Sequence, residues 1–189
     1  MNTFPADLDT ALVKGWLAEH ERRPLMDALL NEMAWAQQSI LSQGNTIPLP
    51  RLTAWHGTSR YRYSGILNTP SPWTPTLTVL RDRLEQELHA NFNSVLGNLY
   101  RGGKDSVSWH ADDEPELGKT PTIASISLGE ARKFSFKRRD GTEKVDLLLE
   151  GGDLLVMRGN TQRDWLHQIP KTAKAVGERI NLTFRQVQP

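Results

Sequence analysis

Cysteine is absent from the 189-residue sequence. This absence excludes disulfide bonds and thiolate metal sites, which stabilise many small secreted domains and bind structural zinc. Any metal ion must therefore be held by imidazole and carboxylate groups. Such a ligand set suits iron better than structural zinc.

Long apolar runs are also absent. The sequence nowhere contains about eighteen consecutive apolar residues, the length that a membrane-spanning helix requires. The first residues show no basic stretch followed by an apolar run, so no secretory signal is predicted there. We expect a soluble protein of the cytoplasm, or of the nucleus in a eukaryote, with no membrane partner.

Neither sign of charge is in clear excess, since the formal net charge of the chain is only +1. A non-specific nucleic-acid binder usually has a clear basic excess, so the overall charge gives no argument for such a partner. The charge is nevertheless locally uneven, because cations crowd residues 132–139. This basic cluster consists of Arg132, Lys133, Lys137, Arg138 and Arg139. Two interpretations stay open: contact with phosphates, or a solvated hairpin around the turn signal Asp140-Gly141.

The length and a hydrophobic content of 38 % indicate a single domain, because no linker or repeat divides the chain. Apolar residues recur at helical spacing after Pro24 and after Pro75, which predicts two helices. From residue 92 onward short β-type runs dominate, separated by glycine-rich turns. We predict strands at residues 92–100, 106–110, 122–128, 133–138, 145–149, 153–157 and 179–185. Many short strands at regular spacing are typical of a sandwich or jelly roll.

Two histidines and one aspartate form the candidate metal site. His110 and Asp112 stand in an H-x-D motif, and His167 follows later in the chain. Two imidazoles and one carboxylate occupy one face of an octahedral ion and leave three positions open, as in non-haem Fe(II) oxygenases. The H-x-D pair alone is weak evidence, since many such pairs lie in solvated loops.

The last predicted strand, residues 179–185 (RINLTFR), alternates polar and apolar side chains with period two. Its polar face carries Arg179, Asn181, Thr183 and Arg185. An edge strand with one wet face would give this pattern, and so would an internal Arg–Asp pair at Arg179. Two arginines downstream of a metal motif instead suggest a pocket for a dicarboxylate, which guanidinium groups bind through paired hydrogen bonds.

Taken together and in this order, these motifs resemble the AlkB-type Fe(II)/2-oxoglutarate-dependent nucleic-acid dealkylases. The resemblance covers about residues 22–187. The segments that carry it are 50–55 (PRLTAW), 61–65 (YRYSG), 92–101 (FNSVLGNLYR), 104–114 (KDSVSWHADDE), 123–127 (IASIS), 165–167 (WLH) and 179–185 (RINLTFR).

The resemblance implies a mainly β fold with flanking helices, a double-stranded β-helix or jelly roll. It implies one Fe(II)/2-oxoglutarate dioxygenase domain over residues 1–189, with a helical N-terminal part at 1–50, a substrate lid at 51–75 and a jelly-roll core at 92–187. Its iron ligands would be His110, Asp112 and His167. Its 2-oxoglutarate site would consist of Asn98, Tyr100, Arg179, Asn181, Thr183 and Arg185. Its substrate site would include Trp55, Tyr61, Tyr63, Ser64 and Asp113.

The same resemblance implies an activity. With Fe(II), O₂ and 2-oxoglutarate, such enzymes oxidise the N-methyl group of 1-methyladenine or 3-methylcytosine and release formaldehyde, succinate and CO₂. We expect a monomer that repairs alkylated DNA, or acts on RNA. Two other functions remain open: a 2-oxoglutarate-dependent hydroxylase of a protein or small molecule, and a non-catalytic jelly-roll module. For any single aromatic residue of the lid, core packing is the simpler explanation, and Asp113 fits a solvated acidic loop as well.

Overall fold

A computed structural model describes residues 4–42, 45–59, 61–63 and 66–188. Strands dominate it. They are β1 (Thr10–Val13), β2 (Ser39–Ser42), β3 (Asn45–Pro48), β4 (Leu52–Gly57), β5 (Tyr61–Tyr63), β6 (Ile66–Asn68), β7 (Ser94–Tyr100), β8 (Val107–His110), β9 (Ile123–Gly129), β10 (Arg132–Arg138), β11 (Lys144–Leu149), β12 (Leu154–Met157), β13 (Trp165–Ile169) and β14 (Arg179–Arg185). The helices are α1 (Glu19–Glu32), α2 (Pro75–Leu88), the short α3 (Thr161–Asp164) and a 3-10 turn at Pro115–Leu117.

Two antiparallel sheets form the body of the protein. The large sheet has six strands in the order β1-β12-β9-β14-β7-β4, and the small sheet has four in the order β11-β10-β13-β8. Two short hairpins, β2-β3 and β5-β6, lie outside them. Non-consecutive neighbours in both sheets are typical of a jelly roll. The predicted mainly β fold with flanking helices is confirmed.

The two long helices begin at well-formed caps. At the start of α2 the Thr74 hydroxyl accepts a hydrogen bond from the Leu77 amide at 3.2 Å, and Pro75 occupies the first turn. At the start of α1 the Glu21 carboxylate accepts a hydrogen bond from the Ala18 amide at 2.7 Å. Leu29 and Leu77 are fully buried, since both helices pack on the outer face of the large sheet.

Strand β14 separates two cores. Ile180, Leu182 and Phe184 join the core beneath the helices, whereas a second core, which includes Phe136 and Trp165, fills the space between the sheets. Strand β14 pairs with β7 on one side and with β9 on the other, and all of its residues are buried. The interpretation of residues 179–185 as an edge strand with a wet face is therefore wrong. The polar face of β14 points into the space between the sheets.

Two features differ from the sequence-based expectation. Of residues 1–50, predicted to be helical, only Glu19–Glu32 form a long helix, while β1, β2 and β3 are strands. Strand β13, which carries His167, was not predicted, because its inward residues Trp165, His167 and Ile169 include a polar side chain that hides the alternation. No helix within the described ranges is long and apolar enough to cross a membrane.

Candidate metal and co-substrate site

Three side chains that could hold a metal ion meet between the two sheets. His110 ends β8 and lies directly opposite His167 on β13, so antiparallel pairing brings the two imidazoles together. Their ring centroids are 4.2 Å apart. Asp112 follows two residues later, and one ligand atom from each of the three residues lies within 4.8 Å of the others. This grouping gives the ligand set that the H-x-D motif and His167 predict.

Neighbouring groups fix the orientation and protonation of the two imidazoles. His110 Nδ1 lies 2.8 Å from the Ser108 carbonyl oxygen, so this nitrogen carries the proton and leaves Nε2 for a metal. Phe134 stacks on His167 with ring centroids 5.4 Å apart. Burial lowers the pKa of His110 and lowers that of His167 to about 3. Both imidazoles are therefore neutral, the state in which histidine binds metal.

Asp112 is held as an anion. Burial alone would raise its pKa, but the charge of Arg185 outweighs that effect and lowers it. Arg185 Nη2 donates a hydrogen bond of 2.8 Å to Asp112 Oδ1, and the Asp112 amide donates one of 2.9 Å to Gln162 Oε1. Arg185, expected in the 2-oxoglutarate site, thus holds the carboxylate ligand in the structure.

A single cavity contains the triad and all of the residues expected to bind 2-oxoglutarate. Its walls come from both sheets, and strands β7 and β14 supply most of the polar groups. The predicted members that line it are Asn98, Tyr100, His110, Asp112, His167, Arg179, Asn181, Thr183 and Arg185.

Arg179 is the strongest electrostatic feature of this cavity. Its side chain is buried, Nη2 donates to Ser127 Oγ at 2.9 Å, and the guanidinium lies 5.2 Å from the Tyr100 ring centroid. Nε and Nη1 have no hydrogen-bond partner. Burial lowers the pKa of Arg179, an effect that Tyr100 opposes. Within the described ranges no aspartate or glutamate pairs with Arg179, so the internal Arg–Asp interpretation is wrong, and a buried cation with spare donors suits a carboxylate of a ligand.

Sequence reasoning missed several residues that support the site. Arg51 lines the cavity, and its Nε donates to Asn98 Oδ1 at 2.6 Å. Ser125 and Ser127 accept hydrogen bonds from Asn181 at 2.7 Å and from Arg179 at 2.9 Å. The two serines alternate with apolar residues in the segment 123–127, a period-two signal that would have placed them on the inner face. Arg51 shows no such periodicity, although it lies in segment 50–55, which carries the family resemblance.

Of the residues expected to bind the substrate, Trp55 and Asp113 do not line this cavity. Trp55 is buried in a small cluster with Leu96, Leu117 and Val187. Tyr61 and Tyr63 lie on β5, which pairs with β6, and Ser64 lies outside the described residues. The Asp113 side chain is 52 % exposed and pairs with Arg139 at 2.5 Å. Their roles in substrate binding stay predictions.

The basic cluster of residues 132–139 divides in the structure. It forms a hairpin between β10 and β11, as one of the two interpretations expects. Arg132 is buried, so it cannot contact phosphates of a nucleic acid at the surface. Three of the other four pair with carboxylates, namely Lys133 with Asp146, Arg138 with Asp7 and Arg139 with Asp113. Lys137 lies over the Trp109 ring, 4.8 Å from its centroid, with no carboxylate partner in the part of the chain that the structure describes.

Known proteins have sequences similar to that of this chain. A family model described as the 2OG-Fe(II) oxygenase superfamily matches residues 9–185. The chain is 42 % identical over 188 residues to human alpha-ketoglutarate-dependent dioxygenase alkB homolog 3, covering 94 % of this chain and 66 % of the relative. It thus spans slightly less than two thirds of that relative's length. It is 35 % identical over 164 residues to mouse DNA oxidative demethylase ALKBH2, covering 82 % of this chain and 69 % of the relative.

A solved structure shares the fold. It is titled "The structure of OsALKBH1" and superimposes with a TM-score of 0.66, covering 95 % of this chain and 98 % of that one. The sequence identity of 20 % is low, so this likeness supports the architecture alone.

Proposed function

Because the chain belongs to the 2OG-Fe(II) oxygenase superfamily, within its AlkB-type group, we propose that it is a dioxygenase that demethylates alkylated bases in DNA. The proposed substrates are 1-methyladenine and 3-methylcytosine, with RNA as a further acceptor. The products are the repaired base, formaldehyde, succinate and CO₂. The whole activity resides in the single domain of residues 1–189.

One observation carries the proposal: a complete His-Asp-His ligand set lies in the same cavity as a buried arginine with unused donors. When bound, iron and 2-oxoglutarate supply the oxidising chemistry for O₂-dependent hydroxylation of the N-methyl carbon. His110 and His167 would hold the ion as neutral ligands, and Asp112 would hold it as an anion. Hydroxylation of the N-methyl carbon gives a hemiaminal, which releases formaldehyde and leaves the unmethylated base.

The polar face of β14 positions the co-substrate. Arg179 would bind the distal carboxylate of 2-oxoglutarate, since its guanidinium has two nitrogens, Nε and Nη1, without hydrogen-bond partners. Asn181 and Thr183 form a chain of hydrogen bonds, in which the Thr183 hydroxyl donates to Asn181 Oδ1 at 3.0 Å. Such pre-set groups hold the co-substrate without further ordering of the protein.

Support for a nucleic-acid substrate comes from the relatives, whose names describe dioxygenases of the alkB type and a DNA oxidative demethylase. They favour this substrate over a protein or small molecule. The methylated bases in question are cations, so the carboxylate of Asp113 and the aromatic lid around Trp55 suit them. Methylation on the pairing edge requires the base to be flipped out of the helix, which is easiest where the lesion already blocks pairing. A non-catalytic module is disfavoured, because none of the three metal ligands is replaced.

Formaldehyde release tests the proposal directly. The purified protein, loaded with Fe(II) and 2-oxoglutarate, is incubated with matched methylated single- and double-stranded DNA and RNA. We expect release from DNA that depends on 2-oxoglutarate and disappears in His110→Ala. Succinate formation that no methylated oligonucleotide stimulates, together with turnover of a protein or small molecule, would refute the nucleic-acid substrate.

The assembly state and location are also part of the proposal. We propose a monomer acting in the cytoplasm, or in the nucleus of a eukaryote, where alkylated nucleic acid is found. Light scattering of the purified protein, alone and with an oligonucleotide, tests the monomer.

A further inference from the structure

Arg132 is a further buried arginine near the candidate site, and the activity proposed above gives it no role. It begins β10 on the small sheet, and its residue is only 3 % exposed. Its three hydrogen bonds all go to backbone carbonyl oxygens. Nη1 donates to Gly102 at 3.2 Å, and Nη2 donates to Asp105 at 2.9 Å and to Pro170 at 2.7 Å.

These bonds join segments that carry the site. Gly102 and Asp105 belong to the connection between β7, which ends at Tyr100, and β8, which ends at His110. Pro170 directly follows β13, which carries His167. A planar guanidinium with several fixed donors can bridge three carbonyls at once, whereas an ammonium group is a single point of charge. Arg132 therefore fixes the ends of three strands that line the cavity.

Arg132 and Arg179 also share one aromatic neighbour. The Arg132 guanidinium lies 5.6 Å from the Tyr100 ring centroid, and the Arg179 guanidinium lies 5.2 Å from it. Tyr100 in turn pairs directly with Arg179 across β7 and β14. Two cations on one ring repel each other, and the charge of Arg132 contributes to lowering the pKa of Arg179.

Carboxylates balance the local charge only in part, since the charge of Asp105 opposes the effect of burial, which lowers the pKa of Arg132. No ion pair among the described residues includes Arg132 or Arg179; the nearby Asp105 carboxylate is bound by Arg101 at 2.7 Å. Two buried guanidinium groups beside one tyrosine thus create a positive field at one end of the cavity. A dianion entering the cavity gains from both charges, although it contacts only the nearer one.

We propose that Arg132 is a positioning residue for the co-substrate: it fixes Tyr100 and adds a second positive charge behind Arg179, and so sets the affinity for the distal carboxylate of 2-oxoglutarate. This inference rests on the proposed function, because it assumes that 2-oxoglutarate occupies the cavity. Arg132 does not touch the metal ligands, so it acts on binding of the co-substrate and not on the chemical step.

Ligand binding to the Mn(II)-loaded protein tests the inference without turnover. Calorimetry gives the Kd of 2-oxoglutarate for the wild type, Arg132→Met, Arg132→Lys and Arg138→Met. The last is a matched control, because Arg138 lies on the same strand and also lies over an aromatic ring, but that ring is Trp165, 5.3 Å away, and not Tyr100. We expect the Kd to rise about tenfold in Arg132→Met, two- to fivefold in Arg132→Lys, and less than twofold in Arg138→Met.

A matched ligand shows whether the distal carboxylate is involved. In 2-oxopentanoate a methyl group replaces that carboxylate, and its binding is followed by the rise in melting temperature of the Mn(II)-loaded protein. We expect Arg132→Met to bind it as the wild type does. With Fe(II) and an oligonucleotide, the KM for 2-oxoglutarate should rise about tenfold in Arg132→Met while kcat stays within about threefold.

Three outcomes would overturn the inference: an unchanged Kd for 2-oxoglutarate, an equal loss of affinity for both ligands, or a loss of Mn(II) binding. If Arg132→Met does not fold, Arg132→Lys decides by the same comparison of the two ligands. Failure of the wild type to bind 2-oxoglutarate would instead refute the proposed function, and this inference with it.

Discussion

Arg179 should lower the stability of the ligand-free protein and raise the stability of the ligand-bound protein. Without a ligand, its buried guanidinium has one hydrogen bond, to Ser127 at 2.9 Å, and two nitrogens without a partner. Replacing buried charge with an apolar side chain of similar volume often stabilises a protein by about 1–4 kcal/mol. Loss of the Ser127 bond offsets about 1 kcal/mol of that gain. Arg179→Met should therefore raise the free energy of unfolding by up to about 3 kcal/mol, and the Tm by up to about 12 °C.

The ligand reverses the order of stability. At a 2-oxoglutarate concentration of about 100 times Kd, the wild type gains about 2.7 kcal/mol. Arg179→Met should gain almost nothing at the same concentration, because the distal carboxylate loses its partner. Urea unfolding of the Mn(II)-loaded proteins, with and without 2-oxoglutarate, measures both effects. The reasoning is refuted if Arg179→Met is less stable without ligand and still gains stability from 2-oxoglutarate.

Four other substitutions or conditions test separate parts of the site. His110→Ala should abolish metal binding and turnover while the fold is kept, as judged by circular dichroism; turnover by the metal-free variant would contradict the ligand assignment. Trp55→Ala should leave binding of Mn(II) and 2-oxoglutarate intact and reduce demethylation of a 1-methyladenine oligonucleotide about 5- to 150-fold if the ring stacks on the base; unfolding would instead show that the ring serves the core. Lys137→Ala should weaken oligonucleotide binding and lower its salt dependence, whereas Lys133→Ala, whose charge is paired with Asp146, should change both less; equal effects would argue against a phosphate contact by Lys137. Since burial lowers the pKa of His167 from 6.5 to about 3, the unfolded chain binds protons that the metal-free folded protein does not. Stability of the metal-free protein should thus fall as the pH drops below 6.5, by about 1 kcal/mol at pH 5.5 for this histidine, and a flat urea-unfolding profile would contradict the shift.

The sequence predicted the parts of the site that follow a simple period. The alternation in residues 179–185 placed Arg179 and Asn181 on one face of the strand. The opposite, apolar face packs in the core beneath the helices, so the polar face lines the cavity. The H-x-D spacing likewise predicted His110 and Asp112 together. Most strand boundaries from residue 92 onward agree within two residues, because each strand is bounded by glycine or by turn residues.

Supporting residues could not be found in this way, because their roles depend on contacts far along the chain. Gln162 holds the Asp112 amide across 50 positions, and Arg51 reaches Asn98 across 47. Nothing in the local sequence distinguishes either from a surface residue. Trp55 shows the opposite difficulty, since an aromatic residue in a strand fits both a lid and a core, and the structure places it in a small apolar cluster.

The pairing of His110 with His167 has a mechanical consequence. Strand β8 lies at the edge of the small sheet, spans four residues, and meets its one neighbour with an irregular register. A slip of one residue would turn His110 away from the cavity. An ion held by both imidazoles would link the edge strand β8 to β13, so that the register of this strand and the retention of the metal would depend on each other.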